Sequence, residues 1–154
     1  MPRYIEAYFH IGTGYNPFLI REGWQVAQLN YMQQLRAPEI RRLERHIATD
    51  EVFVLFKGKS VLIAAEQTPD ELHLETELMT PGVTYNVPAR TWQSIAMTPG
   101  DTVIIVEKSN THLNDDQYRD LNEREYVQLQ AAIKRAEAAS GCEDPLPPPS
   151  DGVC

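Results

Sequence analysis

Hydrophobic residues between positions 24 and about 107 occur in short runs separated by turn-forming residues. Runs rich in Val, Ile, Leu, Phe, Tyr and Trp, interrupted by Gly, Pro, Asn and Asp, are typical of short β-strands. In the clearest run, 71–78, Leu72, Leu74 and Leu78 share one face and charged residues occupy the other, which predicts a strand with one solvated face. The other predicted strands are 24–32, 40–46, 51–57, 60–65, 83–88, 92–97 and 102–107. Eight short strands predict an all-β fold that is either a closed barrel or a double-sheet barrel.

After residue 107 the pattern becomes helical. Asn122 and Glu125 have the spacing of a capping box. Hydrophobic residues then recur at helical intervals, at Tyr126, Leu129, Ile133 and Ala136. These signals predict one helix over about 122–139. The residues beyond it are polar and rich in proline, a composition that predicts an extended tail.

The elements are expected to form a single domain. A chain of 154 residues with 42% hydrophobic content is sufficient for one core. We expect an N-terminal segment that belongs to the same domain, then the barrel, then a turn and a C-terminal α-helix that packs on the barrel, and finally the extended proline-rich tail. The corresponding ranges are 1–23, 24–110, 111–140 and 141–154.

The charge of the chain narrows the range of partners. Fourteen Lys and Arg against twenty-two Asp and Glu give a formal net charge of −8, which repels nucleic acid phosphates and anionic lipids. We therefore expect no nucleic acid and no membrane partner. No apolar run has the length of a membrane helix and the first residues do not resemble a signal peptide, so a cytoplasmic protein is expected. Cys142 and Cys154 are predicted to be surface thiols, because two isolated cysteines form neither a disulfide framework nor a zinc site.

Strand alternation places several polar residues on common faces with hydrophobic ones. Residues two apart in a strand point to the same side of the sheet. If these faces point inward, a polar cluster lies over an apolar floor, which is typical of a small-molecule pocket. Unpaired burial of the charged groups would be costly, and a metal or a ligand would offset that cost. The three groups are Arg42, Glu44 and His46; Glu51, Phe53 and Leu55; and Gln93, Ile95 and Met97.

Two segments resemble the two sequence motifs of the cupin superfamily. His46, Glu51 and Gly58 follow the spacing of the first motif, which reads His-x-His, three or four residues, Glu, six residues, Gly. Gly82 and Pro88 follow the spacing of the second motif, which reads Gly, five residues, Pro-x-Gly-x-x-His. The resemblance covers roughly residues 40 to 107. It implies a cupin-like double-stranded β-helix, or jelly-roll barrel, that is usually a homodimer.

The resemblance also implies a divalent metal, which cupins hold with three His and one Glu. This chain departs from the motifs at three positions, where Glu44 and Gln93 replace His and Arg90 replaces Gly. The implied metal ligands are therefore Glu44, His46, Glu51 and Gln93. Such an oxygen-rich set suits manganese, iron or another hard cation. The alternative is a barrel without a metal, in which Arg42 or Arg90 pairs with the carboxylates.

The sequence leaves three functions open. The first is binding of a small polar organic ligand, a sugar or a carboxylic acid, and the second is a divalent-metal-dependent enzyme that uses the ligands above. The third is a metal-independent isomerase or epimerase with His46 as the general base and a tyrosine, Tyr31 or Tyr85, as the acid. A structural barrel plugged by Arg90 fits less well with two inward carboxylates. The residues expected to contact the organic ligand are Arg42, Phe53, Arg90 and Gln93.

The remaining histidines and both tryptophans are expected to be structural. His10 is predicted to lie in a loop, His73 on the solvated face of its strand, and His112 in a polar turn rather than in a ligand cluster. Trp24 and Trp92 are interpreted as packing anchors, because buried aromatic residues dominate small cores.

Overall fold

A computed structural model describes residues 4–139, which form ten β-strands and two α-helices. The predicted extended tail and both cysteines lie outside the described residues. Neither helix has the length and hydropathy of a membrane-spanning segment within the part of the chain described. The elements are β1 (Gly14–Arg21), β2 (Trp24–Asn30), β3 (Arg42–Arg45), β4 (Glu51–Lys57), β5 (Val61–Gln67), β6 (Leu72–Leu78), β7 (Thr84–Val87), β8 (Trp92–Ala96), β9 (Thr102–Glu107), α1 (Thr111–Asn114), β10 (Gln117–Asp120) and α2 (Glu123–Ala138).

The strands form two five-stranded antiparallel sheets. The first has the order β1-β2-β9-β4-β7 and the second the order β10-β3-β8-β5-β6. From β2 to β9 the chain alternates between the two sheets, except that β5 and β6 are neighbours in the second sheet. This is the double Greek-key order of a jelly roll. The structure therefore confirms the all-β, double-sheet barrel that the sequence predicted.

The main core lies between the two sheets and follows the predicted alternation. Glu51, Phe53 and Leu55 of β4 are buried, as are Gln93 and Ile95 of β8. These residues point inward, while Val52, Val54 and Ser94 between them are less buried. The hydrophobic core residues between the sheets are Ala27, Leu29, Phe53, Leu55, Leu62, Met79, Val87, Ile95, Met97, Val103 and Ile105.

Helix α2 packs on the outer face of the second sheet. The capping box at its start is present, since the Asn122 side chain accepts a hydrogen bond from the Glu125 N–H at 2.9 Å and the Glu125 carboxylate accepts one from the Asn122 N–H at 3.0 Å. Leu129 and Ile133 are buried against the strands. Consequently Leu72 and Leu74 of β6 face the helix, and His73 lies on the opposite, exposed face.

Two strands of the structure were not predicted. β1 contains Pro17 and changes register between Asn16 and Leu19, and a bulged edge strand with proline lacks a clear alternation. β10 is a short polar edge strand that pairs with β3. Its side chains make cross-strand contacts with that strand, for example from Arg42 Nε to Asp120 Oδ1 at 2.7 Å. Pairing with a distant strand, rather than a local pattern, therefore determines β10.

The two tryptophans differ in their environment. Trp24 is 45% exposed at the start of β2 and is not the buried anchor that the sequence predicted. Trp92 is partly buried and packs against the hydrophobic cluster beneath α2. The Arg45 guanidinium lies 4.4 Å from the centre of a Trp92 ring, so this tryptophan forms a cation–π contact in addition to its packing.

Candidate metal and ligand site

A cavity of about 610 Å³ lies between the two sheets. This volume is in the range of small-molecule sites. Its apolar wall includes Leu29, Leu35, Phe53, Ile95 and Ile105. Its polar wall includes Glu44, His46, Glu51, Gln93, Glu107 and Asp116. The predicted arrangement of a polar cluster over an apolar floor is therefore present.

His46 directly follows β3, and its backbone is held in place by two loops. Its carbonyl oxygen accepts a hydrogen bond from the Arg90 N–H at 2.7 Å. The Asp115 carboxylate accepts hydrogen bonds from the N–H groups of the next two residues, Ile47 at 3.0 Å and Ala48 at 2.8 Å. These bonds fix the direction in which the imidazole leaves the backbone.

The imidazole of His46 is buried and contacts acceptors at both of its nitrogens. Nε2 lies 3.0 Å from Glu51 Oε2 and 3.7 Å from Glu107 Oε2. Nδ1 lies 3.3 Å from the Asp115 carbonyl oxygen and 3.3 Å from Asp116 Oδ1. In the absence of a metal, this arrangement favours a ring that is protonated on both nitrogens.

The electrostatic environment of His46 points the same way. Burial by itself lowers the pKa of His46, but the hydrogen bond to Glu51 and the charges of Glu51, Glu107 and Glu44 raise it to about 9. The metal-free geometry therefore favours an imidazolium at neutral pH. A general base at neutral pH has to be unprotonated, so this geometry does not favour the metal-independent isomerase with His46 as the base.

Glu107 is a site residue that the sequence analysis missed. Its Oε1 accepts hydrogen bonds from the Tyr15 hydroxyl at 2.5 Å and from Gln25 Nε2 at 2.9 Å. Its Oε2 is buried and has no hydrogen-bond partner among the described residues. Burial and the nearby Glu51 carboxylate raise the pKa of Glu107. This side chain therefore presents an unsatisfied acceptor to the cavity.

The strand pattern contained a signal for Glu107. Val103, Ile105 and Glu107 are the buried residues of β9 and share its inward face. Within the sheet, Val52 of β4 pairs with Val106 of β9, which brings Glu51 and Glu107 next to each other in the register. A carboxylate at the end of an apolar inward face could have been recognised from the sequence, but its partner strand could not.

His46, Glu51 and Glu107 form a cluster that could hold a metal ion. One ligand atom from each of the three lies within 4.8 Å of the others. Gln93 lies beside them, because its Nε2 donates to Glu51 Oε2, while its Oε1 is buried without a hydrogen-bond partner in the described structure. One imidazole and two carboxylates match the preferences of hard divalent cations. The donor set therefore fits the metal that the cupin resemblance implies.

Glu44 lines the cavity but does not belong to this cluster. It pairs with Gln93 across the second sheet and is partly buried. Burial and the charge of Glu51 raise the pKa of Glu44 to about 7. The four residues of the expected metal set thus all line one cavity, and Glu107 rather than Glu44 belongs to the cluster with His46 and Glu51.

The residues expected to contact the organic ligand lie in two places. Phe53 and Gln93 are inside the cavity and Arg42 is part of its wall, although the Arg42 guanidinium donates to Asp120. Arg90 lines a different, open groove of about 970 Å³ between β6 and β7. The Arg90 side chain thus does not line the barrel cavity, so the structure does not support the plug or a pairing with the site carboxylates.

Tyr85 also lies outside the barrel cavity, on the wall of the outer groove. Its hydroxyl accepts a hydrogen bond from the Thr80 N–H at 2.9 Å. The tyrosine that reaches the site is Tyr15, through Glu107. The structure therefore does not bring Tyr85 and His46 together as an acid–base pair.

The remaining histidines occupy three environments. His10 is in a loop before β1, and His73 is exposed on β6, both as predicted. His112 lies in the short helix α1 instead of the predicted turn, and it lines the cavity. Its Nδ1 is 3.2 Å from Gln25 Nε2, so His112 adjoins the network that holds Glu107.

The strand order and the positions of the two motifs identify the fold. The first motif runs from β3 through β4, and the second ends in β8, so both lie at the walls of a jelly roll, as the resemblance implied. This chain has a cupin-like fold. No protein-family model matches the sequence, and no curated protein sequence is significantly similar to it.

Solved structures similar to the cupin-like barrel have low sequence identity. A cupin-like protein from Thermotoga maritima is 15% identical, with 76% of this chain and 86% of that chain covered and a TM-score of 0.47. A cupin-2 domain protein from Shewanella frigidimarina is 15% identical, with coverages of 66% and 85% and a TM-score of 0.45. The 3,4-ketoisomerase QdtA from Thermoanaerobacterium thermosaccharolyticum, in complex with TDP-4-keto-6-deoxyglucose, is 23% identical, with coverages of 78% and 78% and a TM-score of 0.45.

Proposed function

We propose that this cupin-like barrel binds a divalent metal with His46, Glu51 and Glu107, and a small polar organic ligand in the cavity beside it. The observation that carries the proposal is the buried Glu107 Oε2, which has no hydrogen-bond partner among residues 4–139 and lies 3.7 Å from His46 Nε2. A buried acceptor without a partner is costly, and a buried unpaired charge more so. A cation between these side chains would supply the missing partner.

The neighbouring strands support a cation at this position. Glu51 and Glu107 are adjacent across β4 and β9, following the pairing of Val52 with Val106. Like charges directly opposite each other on paired strands are destabilising. Two carboxylates would neutralise a divalent ion, and manganese or ferrous iron suits the mixture of oxygen and imidazole ligands.

Residues around the cluster would orient its ligands. The contacts of His46 Nδ1 with the Asp115 carbonyl and Asp116 leave Nε2 to face the cluster, as in metal sites where a second acceptor fixes the tautomer of a histidine ligand. Tyr15 and Gln25 hold Glu107 Oε1, so Oε2 is directed to the cluster. When bound, the metal would supply Lewis-acid polarisation to an oxygen of the organic ligand.

Metal analysis of protein purified without an affinity tag tests the metal centre. We expect about one equivalent of manganese or iron, and a manganese-dependent rise in the unfolding temperature, since a ligand at 100 times its Kd stabilises the folded state by about 2.7 kcal/mol. His46→Ala should abolish the effect. Glu107→Gln should weaken manganese binding by tenfold or more, because it removes a charged ligand.

Glu75→Gln is the matched control, because Glu75 is an exposed carboxylate on β6 outside the cavity. It should bind manganese as the wild type does. Folded wild-type protein that contains no metal and shows no stabilisation by manganese, ferrous iron or zinc would contradict the metal centre. If the wild type and Glu107→Gln bind the metal with equal affinity, Glu107 is not a metal ligand.

A homodimer is the second part of the proposal. Several large hydrophobic residues precede the edge strand β1 and are exposed, and two of them, Phe9 and Ile11, are 75% and 89% exposed. Exposed apolar residues beside a sheet edge are typical of an interaction surface. Light scattering after gel filtration should show a dimer, and Phe9→Asp with Ile11→Asp should shift it to a monomer. The control Thr13→Asp should remain dimeric, and a wild-type protein that is monomeric at all concentrations would contradict the dimer.

A further inference from the structure

The cavity contains more negative than positive side chains. Four carboxylates line it, those of Glu44, Glu51, Glu107 and Asp116. Apart from histidines, Arg42 is the one basic residue of its wall, within the described part of the chain. The Arg42 guanidinium already pairs with Asp120, with 2.7 Å between Nε and Oδ1. The cavity therefore attracts cations and repels anions.

A divalent metal would not remove this excess. Its charge would be balanced by Glu51 and Glu107, which leaves Glu44 and Asp116. No described residue donates a hydrogen bond to the Glu44 carboxylate. Asp116 contacts His46 Nδ1 at 3.3 Å and accepts a hydrogen bond from the Tyr118 hydroxyl at 3.2 Å. Glu44 thus remains available to a second, organic cation, and Asp116 adds a negative charge near it.

A buried amide oxygen next to Glu44 in the sheet lacks a hydrogen-bond donor in the described structure. Gln93 is 2% exposed, and its Oε1 has no partner in the described structure. Gln93 lies opposite Glu44 in the pairing of β8 with β3. Buried side-chain oxygens are normally hydrogen-bonded. Gln93 therefore places an unsatisfied acceptor on the residue that pairs with Glu44.

The rest of the cavity fits a hydrocarbon body. Phe53, Ile95 and Ile105 are all buried and line its floor. At its edge, the Arg42 guanidinium lies 5.6 Å from the centre of the Tyr118 ring. This ring thus already faces a cation, and it lines the cavity together with the carboxylates.

We propose that the organic ligand of this cavity is a small amine, whose ammonium group pairs with Glu44 and Asp116 while its hydrocarbon body packs on Phe53 and Ile95. This inference rests on the ligand cavity of the proposed function. A carboxylic acid, one of the ligands expected from the sequence, would bring a fifth carboxyl group into a cavity that four already line. A positively charged ligand would be attracted by the net charge of −8 as well.

Three probes of similar shape and different charge test the inference: benzylammonium, benzyl alcohol and benzoate. Calorimetry is performed with the full chain, once in EDTA and once with manganese. We expect benzylammonium to bind at least about tenfold more tightly than benzyl alcohol in both conditions, and benzoate not to bind. Glu44→Gln should lose about tenfold in benzylammonium affinity with little change for benzyl alcohol.

Two further variants sharpen the test. Glu44→Lys should lose benzylammonium binding and gain affinity for benzoate, and Glu75→Gln should behave as the wild type does. Circular dichroism and thermal melting verify that each variant is folded. If Glu44→Lys does not fold, the comparison of wild type with Glu44→Gln still decides the result.

Benzoate binding as tight as benzylammonium binding, or no binding of benzylammonium at about 10 mM, would overturn the inference. If Glu44→Gln binds benzylammonium with the same affinity as the wild type, Glu44 does not contact the ammonium group. Manganese uptake is measured separately on the same preparations. If the protein takes up manganese but prefers benzoate, the inference that the organic ligand is positively charged is wrong. The proposed metal centre would remain supported.

Discussion

Arg90 illustrates how a single residue can serve the site through its backbone. Its φ angle is 72°, in the left-handed region, where residues with a Cβ are strained. In this conformation its N–H donates to the His46 carbonyl oxygen at 2.7 Å. The cupin motif that this segment resembles has glycine at the corresponding position, and glycine adopts such angles without strain. The side chain of Arg90 lines the outer groove instead of the cavity.

Arg90→Gly is therefore expected to change the free energy of unfolding by no more than about 1 kcal/mol, because relief of strain offsets the greater backbone entropy of the unfolded chain. Arg90→Val should destabilise the protein by about 1–2 kcal/mol, since a β-branched residue tolerates the left-handed region poorly. Urea unfolding measures both values. Arg90→Gly should retain manganese affinity, and a loss of that affinity would show that the guanidinium contributes to the site.

The turn between β4 and β5 shows how an element depends on a distant one. Gly58 has a φ angle of 101°, and a Cβ on it would lie 2.9 Å from the Asp101 Cα atom. Asp101 is buried and accepts hydrogen bonds from the Lys59 N–H at 2.9 Å, the Ser60 hydroxyl at 3.0 Å and the Thr98 N–H at 2.8 Å. This carboxylate therefore joins the turn after β4 to the turn before β9, the two strands that carry Glu51 and Glu107.

Gly58→Ala is expected to destabilise the protein by about 2 kcal/mol or more, because it adds a backbone clash to the strain of a positive φ angle. Gly23→Ala is the matched control. Gly23 has a φ angle of 85°, but no atom lies within 4 Å of its added Cβ, so this variant should lose only about 1 kcal/mol through strain. Equal losses in urea unfolding would show that the close approach to Asp101 is unimportant.

The whole molecule contains groups whose proton affinity changes on folding in opposite directions. In the metal-free protein the pKa of Glu44 is raised from 4.5 to about 7 by burial and by Glu51. The pKa of His46 is raised from 6.5 to about 9 by the carboxylates around it, against the effect of burial. By contrast, the Ala89 N–H lowers the pKa of Asp50. Folding therefore favours the protonated forms of Glu44 and His46. It favours the deprotonated form of Asp50.

The metal-free protein should consequently be most stable at mildly acidic pH. The contribution of Glu44 is complete below pH 4.5 and is lost as the pH rises through about 7, and that of His46 is complete below pH 6.5 and is lost through about 9. Below about pH 4, protonation of carboxylates such as Asp50 reverses the trend. We expect the free energy of unfolding in EDTA to fall by several kcal/mol from pH 5 to pH 9, since one unit of pKa shift corresponds to about 1.4 kcal/mol.

Urea unfolding at several pH values across this range measures how the free energy of unfolding changes with pH. Glu44→Gln should remove the part of this change that occurs between about pH 4.5 and 7. Manganese should reverse the trend, since metal binding competes with protons for the same ligands and strengthens as the pH rises. A stability in EDTA that rises from pH 5 to pH 9 would contradict the arrangement of carboxylates around His46.

The sequence alone determined the features that depend on neighbouring residues. Two-residue alternation predicted the inward faces of β4 and β8, with Glu51 and Gln93 above apolar residues, and the capping box predicted the start of α2. Tertiary structure decided which strands pair, and therefore that Glu107 lies beside Glu51 and His46, whereas the Arg90 and Tyr85 side chains line the outer groove. The physical reason is that a side chain's face is a local property of the strand, while its neighbours across the sheet depend on the register between segments far apart in the chain.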